Sequence, residues 1–278
     1  MFVCGFTIIR NGVEFSYPFI ESIKSLLPLV DKLIINLGIS TDGTGDKIRS
    51  LRDPRIEILE REWDLSMREG GKLLSYETNK ALEKCEGDWG FYLQADEVIH
   101  ENDYDRIYDA MKKYLQVRKI KGLTFRYYHF EGTYDFYNPL RYRKEIRIIR
   151  PEKGIVSWGD AATFRYSDGR RLKTKPTGAF IYHYGWVRSP EEMLRRKREF
   201  EKLYHDDRYI EEKYGNLQEF PYFELDLVKR FRGTHPAVMR ERIASMSWDI
   251  EIPPHKPLLL NPKFYRIILR KWGIIRKR

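Results

Sequence analysis

The sequence has few cysteines and no long hydrophobic run. Cys4 and Cys85 are its two cysteines, and neither lies in a CxxC or Cys/His spacing typical of zinc sites. Both fall in apolar segments, so we expect reduced core thiols and no disulfide. No stretch reaches the roughly 18 apolar residues of a membrane-spanning helix, and the N-terminus lacks a signal-peptide pattern. These absences favour a cytosolic protein.

Internal repeats and low-complexity linkers are also lacking. The 278 residues are 42% hydrophobic and 14% aromatic, which is too apolar for a disordered chain. This length suits one large domain with an elaborated C-terminal part. Positive charge is in excess, with a net charge of +10. We therefore expect an anionic partner: nucleic acid, a phosphorylated ligand or an acidic membrane surface.

Candidate strands and helices alternate along the first hundred residues. The predicted strands are residues 3–9, 32–38, 55–59 and 89–93, and the predicted helices include 17–27 and 67–84. This order predicts an α/β fold with a doubly wound, mostly parallel sheet and helices on both faces. Ligands of such sheets bind outside the carboxyl ends of the strands, so we expect the site there.

Polar clusters follow three of these strands. GDWGFYLQADE ends in Asp96 and Glu97, a carboxylate pair that can hold Mg²⁺ or Mn²⁺ beside phosphates. The alternative is that these acids cap the next helix. STDGT follows the second strand, and Arg10, Asn11 and Glu14 follow the first, although ordinary turns use the same residue types.

The second half predicts a different arrangement. Residues 100–117 read as a helix, and 122–130 and 144–150 as strands added antiparallel to the sheet. A further helix is expected after AFIYHYGWVR, with Ser189 as N-cap and Glu192 completing a capping box. His183 would then lie near an element boundary, either as a metal ligand or as a hydrogen-bonded core residue.

The ordered set VCGFTIIRNGVE, STDGT, a helix with Asn79 and Ala81, and GDWGFYLQADE resembles glycosyltransferase family 2, whose members have the GT-A fold. The resemblance covers residues 3 to about 100. It implies an enzyme of the hexosyltransferase type, which moves a sugar from a nucleotide-diphospho-sugar to an acceptor hydroxyl with inversion. The implied acceptor is a glycan, a lipid-linked sugar or a cell-surface polysaccharide precursor.

The resemblance also implies site residues. A divalent ion, Mn²⁺ or Mg²⁺, would be held by Asp96, Glu97 and His183. Gln94 replaces the first acid of the family's DxD motif, which weakens the inference of a metal. The expected contacts to the nucleotide-sugar are Thr7, Arg10, Asn11, Glu14, Asn36, Asp42, Lys72, Gln94 and Trp186. Asp42 or Asn36 would take the place of the acidic contact to the base, because Leu37-Gly38-Ile39 precedes the STDGT turn.

Inverting transfer requires a base that takes the acceptor's proton. Asp160 in GIVSWGDAATF is the candidate, since it follows a Trp and a Gly in a predicted loop suited to stacking a sugar. A loop aspartate also commonly forms a turn. Glu131, Asp135 and Glu145 remain rivals.

We predict a catalytic domain over 1–188, with a nucleotide-sugar half of about 1–100 and an acceptor half of about 101–188. A helical extension follows over 189–278. Its tail, 256–278, has basic and apolar residues but no acid. The tail is expected either to lie on an anionic membrane surface or to pack on the domain. The location would then be the cytoplasm, at the inner face of the membrane.

Three other functions remain open. A basic nucleic-acid-binding module would explain the charge, but the basic residues are dispersed and form no recognition motif, so we expect no nucleic-acid partner. A non-catalytic relative would bind the nucleotide-sugar without transferring it. A nucleotidyltransferase would need a glycine-rich phosphate loop after the first strand, and RNGVEF does not provide one.

Overall fold

The computed structural model describes residues 1–222 and 225–253, together with Tyr265 and Leu269. Twelve strands and seven α-helices lie in this part of the chain. The strands are β1 (Val3–Ile9), β2 (Lys32–Gly38), β3 (Ile56–Arg61), β4 (Trp89–Tyr92), β5 (Glu97–Ile99), β6 (Gly122–Gly132), β7 (Phe136–Tyr137), β8 (Lys144–Ile149), β9 (Ile155–Trp158), β10 (Thr163–Tyr166), β11 (Thr174–Val187) and β12 (Lys229–Arg230). The helices are α1 (Phe19–Leu26), α2 (Thr44–Arg49), α3 (Lys72–Leu82), α4 (Tyr104–Tyr114), α5 (Pro190–Glu201), α6 (Asp207–Tyr214) and α7 (Arg240–Ala244).

The main sheet has a parallel half and a mixed half. Strands β3, β2, β1 and β4 are neighbours in that order, and all three pairings are parallel. Strand β8 continues the sheet antiparallel to both β4 and β6, which confirms the predicted antiparallel addition. Strand β11 pairs parallel with β6 and antiparallel with β5. The predicted α/β class is confirmed, with a mixed sheet.

Helices cover both faces of the parallel half because successive side chains of a strand point to opposite faces. In β1, Val3 and Ile9 pack in one core with α1 and α4. Cys4 and Phe6 pack in a second core with α3 and the separate β9–β10 hairpin. Burial on both sides explains why these strands read as continuous apolar runs.

The two cysteines form a disulfide, so the expectation of reduced thiols is wrong. Cys4 lies in β1, and Cys85 follows α3, 81 residues later in the sequence. The turn between α3 and β4 returns the chain to β1, where both residues join the same core. Sequence spacing gave no sign of this proximity. The cysteines therefore no longer support a cytosolic location.

Two helix starts show what local sequence specified. The predicted helix over 67–84 begins only at Lys72, because Gly70 and Gly71 adopt positive φ values of 57° and 68°. The start of α5 is as predicted, with the Ser189 side chain accepting a hydrogen bond from the Glu192 N–H. The Glu192 carboxylate instead accepts a hydrogen bond from the Ser16 hydroxyl, which ties α5 to the loop after β1.

None of the described helices has the length and hydrophobicity needed to cross a membrane. The predicted membrane-contacting tail, 256–278, lies outside the described residues except for Tyr265 and Leu269. The division of the chain at residue 188 remains a prediction.

Candidate active site

A cavity of about 440 Å³ opens at the carboxyl end of β4. Its lining comes from the residues after β4, from β6 and β11, from the β9–β10 loop and from α5. The polar side chains on its wall are Gln94, Asp96, His129, Arg141, Asp160, His183, Arg196 and Lys197, together with the Tyr17, Tyr92, Tyr142, Trp186 and Tyr204 rings. We call it the first cavity. It lies at the sheet edge where the sequence predicts the site.

A second cavity of about 400 Å³ adjoins the first. It lies between the loop after β1, the segment after β3 and helix α5. The two cavities share five lining residues: Ile8, Tyr17, Leu74, Arg196 and Phe200. They therefore lie side by side at the carboxyl ends of the parallel strands, and we call the two together the groove.

Asp96 and His183 meet in the first cavity. The Oδ2 atom of Asp96 lies 3.6 Å from Nε2 of His183, and both side chains are about nine-tenths buried. Burial lowers the pKa of His183, so its imidazole is neutral at neutral pH. Burial alone would raise the pKa of Asp96, yet the nearby guanidinium groups of Arg196 and Arg188, together with His183 when it is protonated, lower it. A carboxylate and a neutral imidazole are thus held side by side.

This pair fits a divalent ion. Gly185 lets the two side chains approach this closely, because a Cβ atom there would clash with Asp96 Oδ2 and lie 2.7 Å from His183 Cε1. Among the described residues, no group of three His, Cys, Asp or Glu side chains could hold a metal by itself. Oxygen atoms of a bound phosphorylated ligand and of water would have to complete the coordination, as is usual for Mg²⁺ sites.

Glu97 does not belong to this pair. Its carboxylate oxygens accept hydrogen bonds from Nε and Nη2 of Arg147, each at 2.7 Å, and both side chains are fully buried. The Tyr127 hydroxyl donates a third hydrogen bond to Glu97 at 2.9 Å. This bidentate ion pair occupies the carboxylate. The structure therefore brings together two of the three predicted metal ligands and turns the third into the sheet.

Gln94 lines the first cavity and links two of its walls. Its side-chain Nε2 donates a hydrogen bond to the Ala161 carbonyl at 3.3 Å. An aspartate at this position has no donor to offer that carbonyl. The amide that replaces the first acid of the family motif thus fastens the end of β4 to the loop that holds Asp160.

Asp160 faces the first cavity from the β9–β10 loop. Its Oδ2 accepts a hydrogen bond from the Tyr204 hydroxyl at 3.1 Å. Gly71 packs against both, since a Cβ atom there would lie 2.7 Å from the Asp160 Cβ and 2.8 Å from the Tyr204 hydroxyl oxygen. The described lining has two carboxylates, Asp96 and Asp160. The rivals Glu131, Asp135 and Glu145 do not line it.

Arg10 and Asn11, which the sequence predicts as contacts to the nucleotide-sugar, line the second cavity. Glu14 lies beside them but outside the lining, where it accepts a hydrogen bond from the Asn11 amide at 2.6 Å. Asp42 does not reach either cavity. Its carboxylate accepts hydrogen bonds from the Val13 and Glu14 N–H groups, and so holds the loop after β1 in place.

Asn36 acts at a distance from the groove. It is fully buried in β2, where its Nδ2 donates to the Glu77 carboxylate at 2.8 Å. Its Oδ1 accepts a hydrogen bond at 3.3 Å from the indole N–H of Trp63, which lines the second cavity. Asn36 is therefore placed to orient Trp63 and makes no contact with the groove itself.

The three remaining predicted residues differ in position. Thr7 is buried in β1 and lines neither cavity. Lys72 lies outside both cavities, and its exposed ammonium pairs with Glu69 at 2.6 Å. Trp186 lines the first cavity, but the Arg141 guanidinium covers its ring at 3.9 Å. A sugar would meet the Trp186 ring only beside this cation.

Helix α5 and the turn after it supply residues that the sequence analysis missed. Arg196, Lys197, Phe200 and Tyr204 all line the first cavity. A signal was present, because Arg196 lies four residues before Phe200 and three after the buried Met193, on the inward face of the helix. An arginine among inward-facing apolar residues indicates a buried polar site.

Comparison with known proteins gives the family. The glycosyl transferase family 2 model matches residues 7–172 of the 278, well over half of the chain. The chain belongs to glycosyl transferase family 2. It is therefore a glycosyltransferase that uses a nucleotide-sugar donor. The matched part includes Asp96 and Asp160, whereas His183 and helix α5 lie beyond it.

Solved structures to which this glycosyltransferase is similar include S. aureus TarS. One TarS structure has 15% identity and a TM-score of 0.41, and the match covers 76% of this chain but only 42% of TarS. TarS 1–349 in complex with UDP-GlcNAc has 14% identity and a TM-score of 0.43, with 76% of this chain and 70% of that chain covered. These scores are too low to support further argument. No curated protein matches the chain.

Proposed function

We propose that this family 2 member moves a sugar from a nucleotide-diphospho-sugar to an acceptor hydroxyl with inversion at the anomeric carbon. The observation that supports it best is the groove. One cavity holds the Asp96–His183 pair and Asp160, and the adjoining cavity presents Trp63, Arg10 and Asn11. The nucleotide would lie in the second cavity, and the sugar in the first.

In the proposed reaction, the acceptor oxygen forms a bond to the anomeric carbon while the bond from that carbon to the diphosphate oxygen breaks. Asp160 takes the acceptor's proton, and the nucleoside diphosphate leaves with the bonding electron pair. The Tyr204 hydroxyl holds the Asp160 carboxylate in place. Gln94 holds the backbone of the same loop. The base is thus fixed from two sides before the acceptor arrives.

Family 2 enzymes generally use a divalent metal. In this chain, Asp96 and His183 would hold Mn²⁺ or Mg²⁺, and the bound ion would supply positive charge to the departing diphosphate. Glu97 is left out of this assignment, because Arg147 already occupies both of its oxygens. We propose two protein ligands in place of the three expected from the sequence.

For the acceptor, the proposal is a glycan or lipid-linked sugar in cell-surface polysaccharide or glycolipid synthesis. Its support is the sequence of 256–278, which is basic and apolar without an acid and suits an anionic membrane surface. A cytoplasmic enzyme at the inner face of the membrane would meet such an acceptor.

A thermal-shift screen tests the donor. The protein is heated with UDP, GDP, dTDP and CMP and their sugar conjugates, with and without Mn²⁺. One nucleotide should raise the melting temperature, and Mn²⁺ should enlarge that shift, because ligands of the native state stabilise it. The selected sugar conjugate is then tested for transfer. Stabilisation by RNA alone would overturn the proposal in favour of a nucleic-acid-binding module.

Asp160→Asn tests the base. We expect kcat to fall about 100- to 10,000-fold with donor affinity unchanged, since general base catalysis typically contributes that factor. Asp168→Asn is the matched control, because Asp168 lies exposed on the turn after β10 and pairs with Arg170. A wild-type kcat in Asp160→Asn would discard Asp160 as the base.

A further inference from the structure

Two buried arginines flank the Tyr17 ring where the two cavities meet. Arg188, which precedes α5, is 1% exposed, and Arg196 in α5 is 7% exposed. Their guanidinium carbons lie 5.0 and 5.3 Å from the centre of the Tyr17 ring. Both arginines come from the C-terminal part of the chain, beyond the residues that the family model matches. Helix α5 and the residue two positions before it therefore place two positive charges at this edge of the sheet.

Their charge is only partly balanced. The nearest carboxylate is that of Asp96, whose Oδ2 lies 3.8 Å from Nη2 of Arg196. Burial, together with the charge of Arg196, lowers the pKa of Arg188 to about 10, so both arginines remain protonated at neutral pH. Two cations thus share one carboxylate.

The other basic residues of the first cavity differ in this respect. Arg141 pairs with Glu131 at 3.1 Å, and Lys197 pairs with Glu201. Each of these two cations has its own carboxylate. Within the described lining of the first cavity, the unbalanced charge is therefore that of Arg196, with Arg188 behind it.

Their hydrogen bonds are also incomplete. Arg196 donates from Nε to the Tyr17 hydroxyl at 3.2 Å, and its Nη groups make no hydrogen bond to a described residue. Arg188 donates to the carbonyls of Phe15 and Gly185, while its Nη2 is buried without a partner in the described part of the chain. Arg196 lines both cavities, and its Nη2 lies 3.8 Å from the Oδ2 of Asp96 in the wall of the first cavity.

We propose that Arg196, with Arg188 behind it, binds the diphosphate of the nucleotide-sugar donor. Guanidinium N–H donors match phosphoryl oxygens in charge and geometry. The diphosphate joins the nucleotide to the sugar, and Arg196 lies at the junction of the cavities assigned to those two parts. This inference rests on the proposed function. A fixed cation at this point also gives the diphosphate a contact that does not require a divalent ion.

Comparing the affinity for a nucleoside with the affinity for its diphosphate separates this contact from recognition of the base. The nucleoside diphosphate selected by the thermal-shift screen is titrated by calorimetry in EDTA and again in Mn²⁺. In EDTA, wild-type protein should prefer the diphosphate over the nucleoside. Arg196→Gln should weaken diphosphate binding about 10- to 100-fold, as expected for hydrogen bonds to a charged group, and leave nucleoside binding unchanged.

Arg195→Gln is the matched control on the same helix. Arg195 is exposed and donates to the Glu14 carbonyl, outside both cavities. It should retain wild-type affinity for the diphosphate. Unchanged nucleoside affinity in Arg196→Gln reports that the variant is folded. If that variant fails to fold, the test rests on whether wild-type protein in EDTA binds the diphosphate more tightly than the nucleoside.

The possible outcomes separate a failure of the Arg196 inference from a failure of the proposed function. Wild-type protein that binds no nucleoside diphosphate in either buffer would overturn both. Wild-type binding that Arg196→Gln and Arg195→Gln reproduce equally would overturn only the role of Arg196. Absence of any preference for the diphosphate in EDTA, with a preference in Mn²⁺, would assign the diphosphate contact to the metal and also overturn the inference.

Discussion

Asp96 and Glu97 are adjacent in the chain, yet they belong to two different regions of the molecule. Asp96 precedes β5 and lies in the wall of the first cavity beside His183 and Arg196. Glu97 begins β5, and its carboxylate is fully buried against Arg147 of β8. One carboxylate faces a solvent-accessible groove with unsatisfied cations, while the other is saturated by hydrogen bonds.

The difference teaches that a carboxylate pair at a strand end need not act as a pair. The Glu97–Arg147 ion pair connects β5 to β8, which lies on the antiparallel side of the sheet, and thereby fixes the segment that presents Asp96. Among the described residues, Asp96 has no comparable bidentate partner, which leaves its carboxylate available to a ligand. The structure gives Glu97 a stabilising role, and our proposal gives the neighbouring Asp96 a chemical one.

Removing the Glu97 carboxylate should have the largest effect, and that effect should be on stability. Glu97→Gln leaves Arg147 buried without its counter-charge, and we expect the free energy of unfolding to fall by about 3–5 kcal/mol. Urea denaturation followed by circular dichroism measures it. Glu152→Gln is the control, because Glu152 pairs with Lys121 near the surface and should cost about 1 kcal/mol or less. If both variants lost the same free energy of unfolding, the buried Glu97–Arg147 pair would contribute no more to stability than a surface pair.

Removing the Asp96 carboxylate should lower activity more than stability. Asp96→Asn removes the carboxylate beside His183, and we expect kcat to fall about 100- to 1,000-fold, the usual effect of losing one electrostatic stabiliser. Its loss of unfolding free energy should be smaller than that of Glu97→Gln, since water reaches the cavity. Asp105→Asn on the exposed face of α4 is the control. Unchanged turnover in Asp96→Asn would remove Asp96 from the site.

The pH dependence of stability sharpens the comparison through His129, which lines the same cavity as Asp96. Burial lowers the pKa of His129 well below its usual value, with neighbouring positive charges adding to the effect. The unfolded chain therefore binds a proton below about pH 6.5 that the folded chain rejects, and stability falls as the pH drops. The expected slope is up to about 1.4 kcal/mol per pH unit.

Denaturation at pH 7.5 and 5.5 measures this slope. His129→Gln removes the titrating group, so its free energy of unfolding should change less between the two pH values than that of the wild type. The same slope in both proteins would assign the acid sensitivity to other groups.

Much of the parallel half of the fold was predictable from the sequence. Strands β1 and β2 were expected at their observed bounds, and the polar residues after β1 and β4 do lie on the groove. These elements are specified locally, since each strand is a continuous apolar run that stops at a polar turn. The metal set was predictable only in part, because the direction of each carboxylate depends on its partner.

The residues that the sequence analysis misplaced have distant partners. Asn36 was expected to touch the donor, but it is buried between Glu77 and Trp63, 41 and 27 residues away. Asp42 was expected in the same role and instead binds the backbone of the loop after β1. Their polar side chains indicated an interaction, and only the packing of strands and loops decided with which group.

The sequence by itself determined the family, the parallel arrangement of the first strands, the edge at which the groove opens and the start of α5, because these depend on local patterns of apolar runs, turns and caps. The tertiary structure alone decided the Cys4–Cys85 disulfide, the pairing of Glu97 with Arg147 and the delivery of Arg196 to the groove. Each of these joins residues from separate elements. Their approach is set by how the sheet and helices pack, which no local pattern encodes.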